Sequence, residues 1–419
     1  MADQSPVTSG LPDAGGSSTP PRSAASARVI DMGSAGHVLA LIRHFGSLTR
    51  ADILRSTGLA RSTVTSRIDA LEGAGLITTK EAVAHGRGRP AERFSFNRAG
   101  GVFLIAHAGA TGVQVAATDL EGTELWREHV NAAVTELSPT QWLSQVSRRF
   151  TAALQATGHN ASAVRGIGLA LPGPVDFEAR TLVRPPIMSG WDSYPLADWF
   201  ADAYEAPVVV ENDVNAMALG EQRVRFRQDQ ALVMVKLATG VGAGIVIGGE
   251  IYRGADGAAG DIGHIQLADS GEDPPLCRCG NFGCIEAYAG GWALIRDLRA
   301  AGRQIDTVAE AVSLIHSGDQ EAMRLSRRAG RILGVALSDV VSLLNPGRLV
   351  IGGELADAAS HLFAGIREQI YARSLPLATR QLDIVPSTLG PSAGLSGLAA
   401  AIADQVFAPS RIDARLGDH

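Results

Sequence analysis

All three cysteines of this 419-residue chain, Cys277, Cys279 and Cys284, fall within eight residues of one another, and His264 lies shortly before them. A Cys-x-Cys pair, a third Cys on a Gly-containing turn and a nearby His supply four soft or borderline ligands, the set a closed tetrahedral zinc site requires. A disulfide would leave one thiol over and make no use of the histidine. Four protein ligands leave zinc no open position, so the expected cofactor is a structural Zn2+. Its task is to pin a loop and direct Glu286 and the second nitrogen of His264 into a neighbouring cleft. Thiolate ligation without disulfide partners fits a reducing, cytoplasmic setting.

Length alone implies two to three domains. No apolar run approaches the roughly 18 residues of a membrane span. The polar first residues are not a secretory leader, so no membrane partner is expected. Charge is uneven. Residues 28–100 carry eleven Arg and Lys against six Asp and Glu, a net of +5, while residues 101–419 carry −10. A basic head on an acidic body predicts a polyanion as partner of the head, here double-stranded DNA.

Residues 1–27, rich in Ser, Pro, Gly and Ala, read as a disordered tail. Residues 28–98 read as a winged helix-turn-helix. From Ser34 to Gly46 the residues Val38, Leu41, Ile42 and Phe45 recur at i, i+3, i+4 and i+7, one face of a helix. Thr49-Arg50-Ala51-Asp52 is a capping box that opens a second helix, ending near Gly58. A third helix from Arg61 to Glu72 buries Val64, Ile68 and Leu71, and Ala60 stands where a capping side chain is preferred. Two strands follow, Leu76–Thr79 and Arg93–Phe96, around a tip at 85–90. The third helix is the one expected in the major groove, with Arg61, Ser62, Thr63 and Ser66 reaching phosphates and base edges and Arg67 a phosphate. Arg87 and Arg89, held extended by Gly and Pro, are expected along the backbone or in the minor groove.

From Gly101 strands and helices alternate to the C-terminus, which predicts an α/β body. Val102–Ala106 and Val113–Asp119 form one strand–turn–strand unit, and Ala231–Leu237 with Ala243–Ile247 repeats it. The chain is accordingly divided into lobe 1, residues 99–225, and lobe 2, residues 226–419 with the zinc site. Strand 207–211 runs into Asn212 and Asp213, an amide and a carboxylate well suited to vicinal hydroxyls; an ordinary helix cap is the alternative.

The run Cys-x-Cys-Gly-x-x-Gly-Cys-x-Glu, preceded by Gly263-His264, resembles the signature of the ROK family of repressors and sugar kinases. The resemblance implies an actin-like, ribonuclease-H-like two-lobed fold with a cleft between the lobes. It also implies that Asn212 and Asp213 hold a sugar, with Asp213 in the place of the kinases' general base. His264 and Glu286 match further sugar contacts, and Asp261 stands where Glu is usual. The family's kinases open the body with Asp-x-Gly-Gly-Thr-Lys, whereas this chain has His107-Ala108-Gly109-Ala110-Thr111-Gly112. An acid, a base and backbone room for phosphate are lost together. The glycine loop 239–244 and the run 345–353 are intact, and close packing explains them equally well. The reading that follows is a sugar-responsive DNA-binding regulator, a homodimer or homotetramer without enzymatic activity. A sugar kinase with a fused DNA-binding head and a protein-binding scaffold remain the alternatives.

Overall fold

The structure is a computed structural model that describes residues 33–81, 92–109, 112–131, 133–267 and 273–417. The predicted tail and the wing tip with Arg87 and Arg89 lie outside these residues.

The head forms as its local signals dictate. Ser34 caps α1 (Ala35–Phe45), its Oγ accepting the His37 amide at 3.1 Å. The buried stripe is Ala35, Val38, Leu39 and Ile42. Leu41 is only half-buried and Phe45 is exposed, packed edge-on against His44. The expected stripe is thus rotated toward Leu39, because the core that α1 meets continues into the far C-terminus of the chain. After β1 (Ser47–Thr49), the Thr49–Asp52 capping box opens α2 (Arg50–Thr57), and Gly58 in the left-handed region closes it. Helix α3 (Arg61–Gly73) buries Val64, Ile68 and Leu71, and Ala60 gives it no side-chain cap. Strands β2 (Ile77–Glu81) and β3 (Glu92–Phe96) pair antiparallel, with β1 on the other edge of β3. This is a winged helix.

The body contains one topology twice. In the first lobe, β4 (Val102–Ala108), β5 (Val113–Thr118) and β6 (Glu124–Val130) form an antiparallel meander. Helix α4 (Pro139–Thr157) then leads to β7 (Val164–Leu171), a short β8/β9 pair (Val175–Asp176, Thr181–Leu182) and β10 (Val208–Asn212). The sheet order is β10-β7-β4-β5-β6. Strand β6, whose charged, half-exposed residues mark an edge strand, escaped the sequence reading. Helix α5 (Asp213–Val224) crosses to the second lobe. There β11 (Ala231–Leu237), β12 (Val241–Ile247) and β13 (Glu250–Ile251) form the second meander. Helices α6 (Glu286–Ala289), α7 (Gly291–Ala300), α8 (Val308–His316) and α9 (Gln320–Leu344) precede β14 (Arg348–Gly352). Helices α10 (Ala359–Arg373) and α11 (Pro376–Thr379) precede β15 (Asp383–Pro386). The order β15-β14-β11-β12-β13 repeats the first sheet strand for strand, two parallel pairings followed by two antiparallel ones. Among the described residues no helix is long and apolar enough to cross a membrane.

The C-terminal end of residues 226–419, set above as the second lobe, packs outside the second sheet. Helix α12 (Ser392–Val406) leaves β15 and packs on α5 and on β4 and β7 of the first lobe, and α13 (Pro409–Leu416) packs on α1 of the head. Leu395, Leu398, Ile402, Phe407 and Ile412 share one core with Val38, Ile68 and Phe94 of the head. Long-range apolar burial decides this placement, and no local signal announces it.

The α5–α12 contact is backbone against backbone. A Cβ on Gly397 would stand 1.7 Å from the Ala216 carbonyl oxygen, and one on Gly220 would stand 1.9 Å from that of Ala393. Gly397→Ala therefore forces the helices apart. We expect about 2–3 kcal/mol of lost stability, read as a lower urea midpoint at unchanged slope.

Candidate functional site

Strand β10 ends at Asn212 and α5 starts at Asp213, so these side chains project from a strand end at the junction of the lobes. They line an interlobe cleft of about 260 Å³. Asp261, His264 and Glu286 line the same cleft, so the five residues singled out from sequence converge there.

Their hydrogen bonds separate them. Asn212 is the N-cap of α5: its Oδ1 accepts from the amides of Val214 (2.9 Å) and Asn215 (3.1 Å), and its Nδ2 donates to the Gly173 carbonyl at 3.0 Å. The cap alternative thus describes most of what Asn212 does, with one amide hydrogen left over. The Asp213 carboxylate is buried and is ion-paired through Oδ2 with the Lys236 ammonium of β11. Beside it, buried Glu211 accepts from Arg253 Nε and Nη2 at 3.0 and 2.6 Å. The Arg253 guanidinium in turn stacks over the Phe177 ring at 3.9 Å. Glu286 accepts from the Val241 amide at 3.0 Å through Oε2 and from Trp292 Nε1 at 3.2 Å through Oε1. Gly240 is needed beneath it, since a Cβ there would lie 2.5 Å from Glu286 Oε2. Asp261 is exposed at the rim. Lys236, Arg253 and Arg278 escaped the sequence reading. For Lys236 a signal existed, a lone cation within the apolar strand 231–237.

The Nδ1 of His264 and the sulfurs of Cys277, Cys279 and Cys284 all lie within 4.8 Å of one another. Cys277 Sγ is 3.7 Å from His264 Nδ1, and Cys279 Sγ is 3.7 Å from Cys284 Sγ. Zinc–sulfur bonds of about 2.3 Å at tetrahedral angles place sulfurs about 3.8 Å apart, so the donor set fits such an ion. Burial first, and then the Cys279 thiol, push Cys284 up to about 12. A divalent cation is the group that would hold these sulfurs together as thiolates.

His107, at the place where the resemblance puts a kinase acid, is buried under the cleft floor. Its Nε2 faces the Asp213 carbonyl at 3.4 Å, and Gly394 of α12 leaves it room, because a Cβ there would sit 2.2 Å from the ring. Burial, then the Lys236 ammonium, hold its pKa down to about 4 against the opposing pull of Asp213. The imidazole is neutral and serves as packing.

On the head, Arg61, Ser62 and Ser66 are exposed and Thr63 half-buried on the outer side of α3. Arg67 donates Nε–H to the Gly33 carbonyl at 3.2 Å. Its expected phosphate contact therefore competes with a tether that joins α3 to the start of α1.

Residues 105–405 match the ROK family model, across both sheets and the cleft. The chain belongs to the ROK family. Residues 33–88 match the MarR family model, in agreement with the winged helix. A ROK-family transcriptional regulator described as a homologue of the E. coli MLC protein superposes with a TM-score of 0.78 at 27% identity, covering 92% of this chain and 98% of that one. The xylose repressor of Bacillus spizizenii is 25% identical over 358 residues, 85% of this chain and 91% of that protein. A ROK glucokinase from Streptomyces griseus, in complex with glucose and AMPPNP, is 30% identical with a TM-score of 0.60, covering 73% of this chain and all of its own. ROK members of both kinds thus share the body, and the regulators share the head as well.

The environment of His107 sets a pH dependence. The unfolded chain takes up a proton near pH 6.5 and the folded chain only near 4. The contribution is therefore complete above about pH 6.5 and is lost as pH falls toward 4, by up to about 3 kcal/mol. Urea midpoints measured from pH 7 to 4.5 should fall less steeply for His107→Gln than for the native chain.

Proposed function

We propose that this ROK protein is a sugar-responsive transcriptional repressor of carbohydrate-utilisation genes, with a kinase-like body that binds its sugar without phosphorylating it. The observation that carries this reading is the unbroken run of packed elements from the cleft to the head. Asp213 opens α5 at the cleft, and Arg223 near its other end is paired with Asp404 of α12 at 2.6 Å. Past α12, Phe407 meets Phe96 of the head at 5.0 Å, and the Arg43 guanidinium of α1 lies over both rings. The Gly36 amide of α1 donates to Asp413 of α13 at 2.7 Å. A ligand that shifts α5 has a direct mechanical route to the DNA-binding helices.

In this reading Arg61, Ser62, Thr63 and Ser66 meet operator DNA, with Arg67, Arg87 and Arg89 on its backbone or minor groove. The repressor acts as a homodimer or homotetramer in the cytoplasm. Its two heads lie on half-sites one or two helical turns apart, about 34 Å per turn, so a small rotation of α12 and α13 misaligns them. The sugar lies against Asp213, Asp261, His264 and Glu286, with the last hydrogen of Asn212 in reach. Zinc on His264, Cys277, Cys279 and Cys284 keeps that wall in shape. The resemblance to the xylose repressor and to the MLC-type regulator over most of the chain supports this choice. The kinase alternative rests on Asp213, whose ammonium partner and neutral His107 neighbour speak against it.

The decisive experiment is quantitative footprinting on an operator selected from random duplex DNA, with and without a panel of pentoses and hexoses. One sugar should weaken DNA binding by roughly 5- to 150-fold, and a coupled ADP-release assay with the same panel should show no turnover. An operator affinity that no sugar alters removes the ligand half of the proposal.

Metal analysis should find one zinc per chain. Cys279→Ser should lose it, melt at lower temperature and lose the sugar response. A fully folded, sugar-responsive Cys279→Ser protein would remove the structural zinc.

A further inference from the structure

Asp213 has a free oxygen and an unusual neighbour. Among the described residues, Lys236 Nζ is the hydrogen-bond partner of its Oδ2, and Oδ1 accepts from no protein donor. The Lys236 ammonium carries three N–H groups, and Asp213 is the acceptor for one of them. Both residues line the cleft. The side chains are 16% and 5% exposed, so the pair is held in a setting where an unmet hydrogen bond is costly. Lys236 comes from β11 of the second lobe and Asp213 from the start of α5, so the pair also spans the cleft floor. Asn212, by contrast, has committed its oxygen to the helix cap and one of its two hydrogens to Gly173.

We propose that Lys236, together with Asp213, reads a vicinal diol of a neutral monosaccharide, and that Lys236 is the residue that determines which adjacent hydroxyls are accepted. One hydroxyl donates to Asp213 Oδ1 while its oxygen neighbour on the next carbon accepts from the Lys236 ammonium. One free carboxylate oxygen beside two unmet ammonium hydrogens matches a diol, one hydroxyl of which donates to Oδ1 while both oxygens accept from the ammonium. A ligand with a single hydroxyl meets Oδ1 and one N–H and leaves the other N–H unmet. A phosphate or carboxylate at that position gains the ammonium but is repelled by Asp213. Because the two halves of the pair belong to β11 and α5, the diol ties the second lobe to the helix that leads to the head. This inference rests on the cleft being a sugar site.

The test uses the full-length protein and isothermal calorimetry with D-xylose, D-glucose, D-galactose and D-mannose, followed by the monodeoxy analogues of the sugar that binds. For the native chain, removal of either hydroxyl of one adjacent pair should weaken binding at least about tenfold. Lys236→Met should weaken the parent sugar by a similar factor. It should also bind the parent and the analogue lacking the Lys236-side hydroxyl within about threefold of each other, since the group that distinguishes them is gone. If Lys236→Met does not fold, Lys236→Met/Asp213→Asn, which buries no unpaired charge, should show the same loss of discrimination. A variant that retains native affinity and native discrimination overturns the role of Lys236 and leaves the sugar site standing. A native chain that binds none of the sugars overturns the sugar site itself, and this inference with it.

Discussion

The contact of α5 with α12 is the constraint on which the rest of the molecule depends. With Gly220 and Gly397 at the crossing, each backbone rests on the other's carbonyl oxygens, and no layer of side chains lies between them to absorb a displacement. The two helices therefore move as one body. Helix α5 begins with the cleft residue Asp213, and α12 ends beside the aromatic contact with the head. Charge reinforces the packing. Burial raises Asp404, and Arg223 and then Arg43 oppose that effect, while Arg43 is itself lowered by burial with Asp404 opposing. These charges sit beside the apolar core that the head shares with α12 and α13, and that core holds the head to the helix pair.

The chemistry of the cleft follows from what surrounds Asp213. A general base needs a carboxylate able to accept a full proton as the nucleophile forms. Here the carboxylate has one oxygen engaged by an ammonium and is underlain by a buried imidazole. The loop that opens the body has lost the acid and the lysine seen in the family's kinases. Hydroxyl recognition asks only for donors and acceptors at fixed places, so under the proposed function the same scaffold keeps binding without phosphoryl transfer.

The parts legible in the sequence are those whose cause is local. The winged helix followed from a capping box, an apolar stripe and a turn, and the doubled strand–turn–strand unit matched the two sheets. The cysteine cluster was legible because its ligands lie within a short stretch and one nearby turn. Asn212 and Asp213 read from the sequence as an adjacent amide and carboxylate acting together. The structure instead gives Asn212 to the helix cap and Asp213 to Lys236, a partner 23 positions away on another strand. The fate of α12 and α13 was hidden for the same reason. Which core their apolar faces join is set by chain topology and by glycines that permit a close approach, and neither leaves a periodic trace.

The two walls of the cleft differ in a way that bears on signalling. One wall is formed by residues 261–267 and 273–286, gathered at the four-ligand cluster and clamped through Glu286 to the Val241 amide and Trp292. The other is the start of α5, continuous with the route to the head. In the proposed reading a zinc ion on these ligands would stiffen the first wall and make it a poor moving part, since its geometry tolerates little change. Ligand binding that draws the walls together must then be taken up mostly by α5. Under the proposed function, rigidity on that side would direct the response toward the DNA-binding side, and a structural ion far from the duplex would acquire a role in regulation without itself changing state.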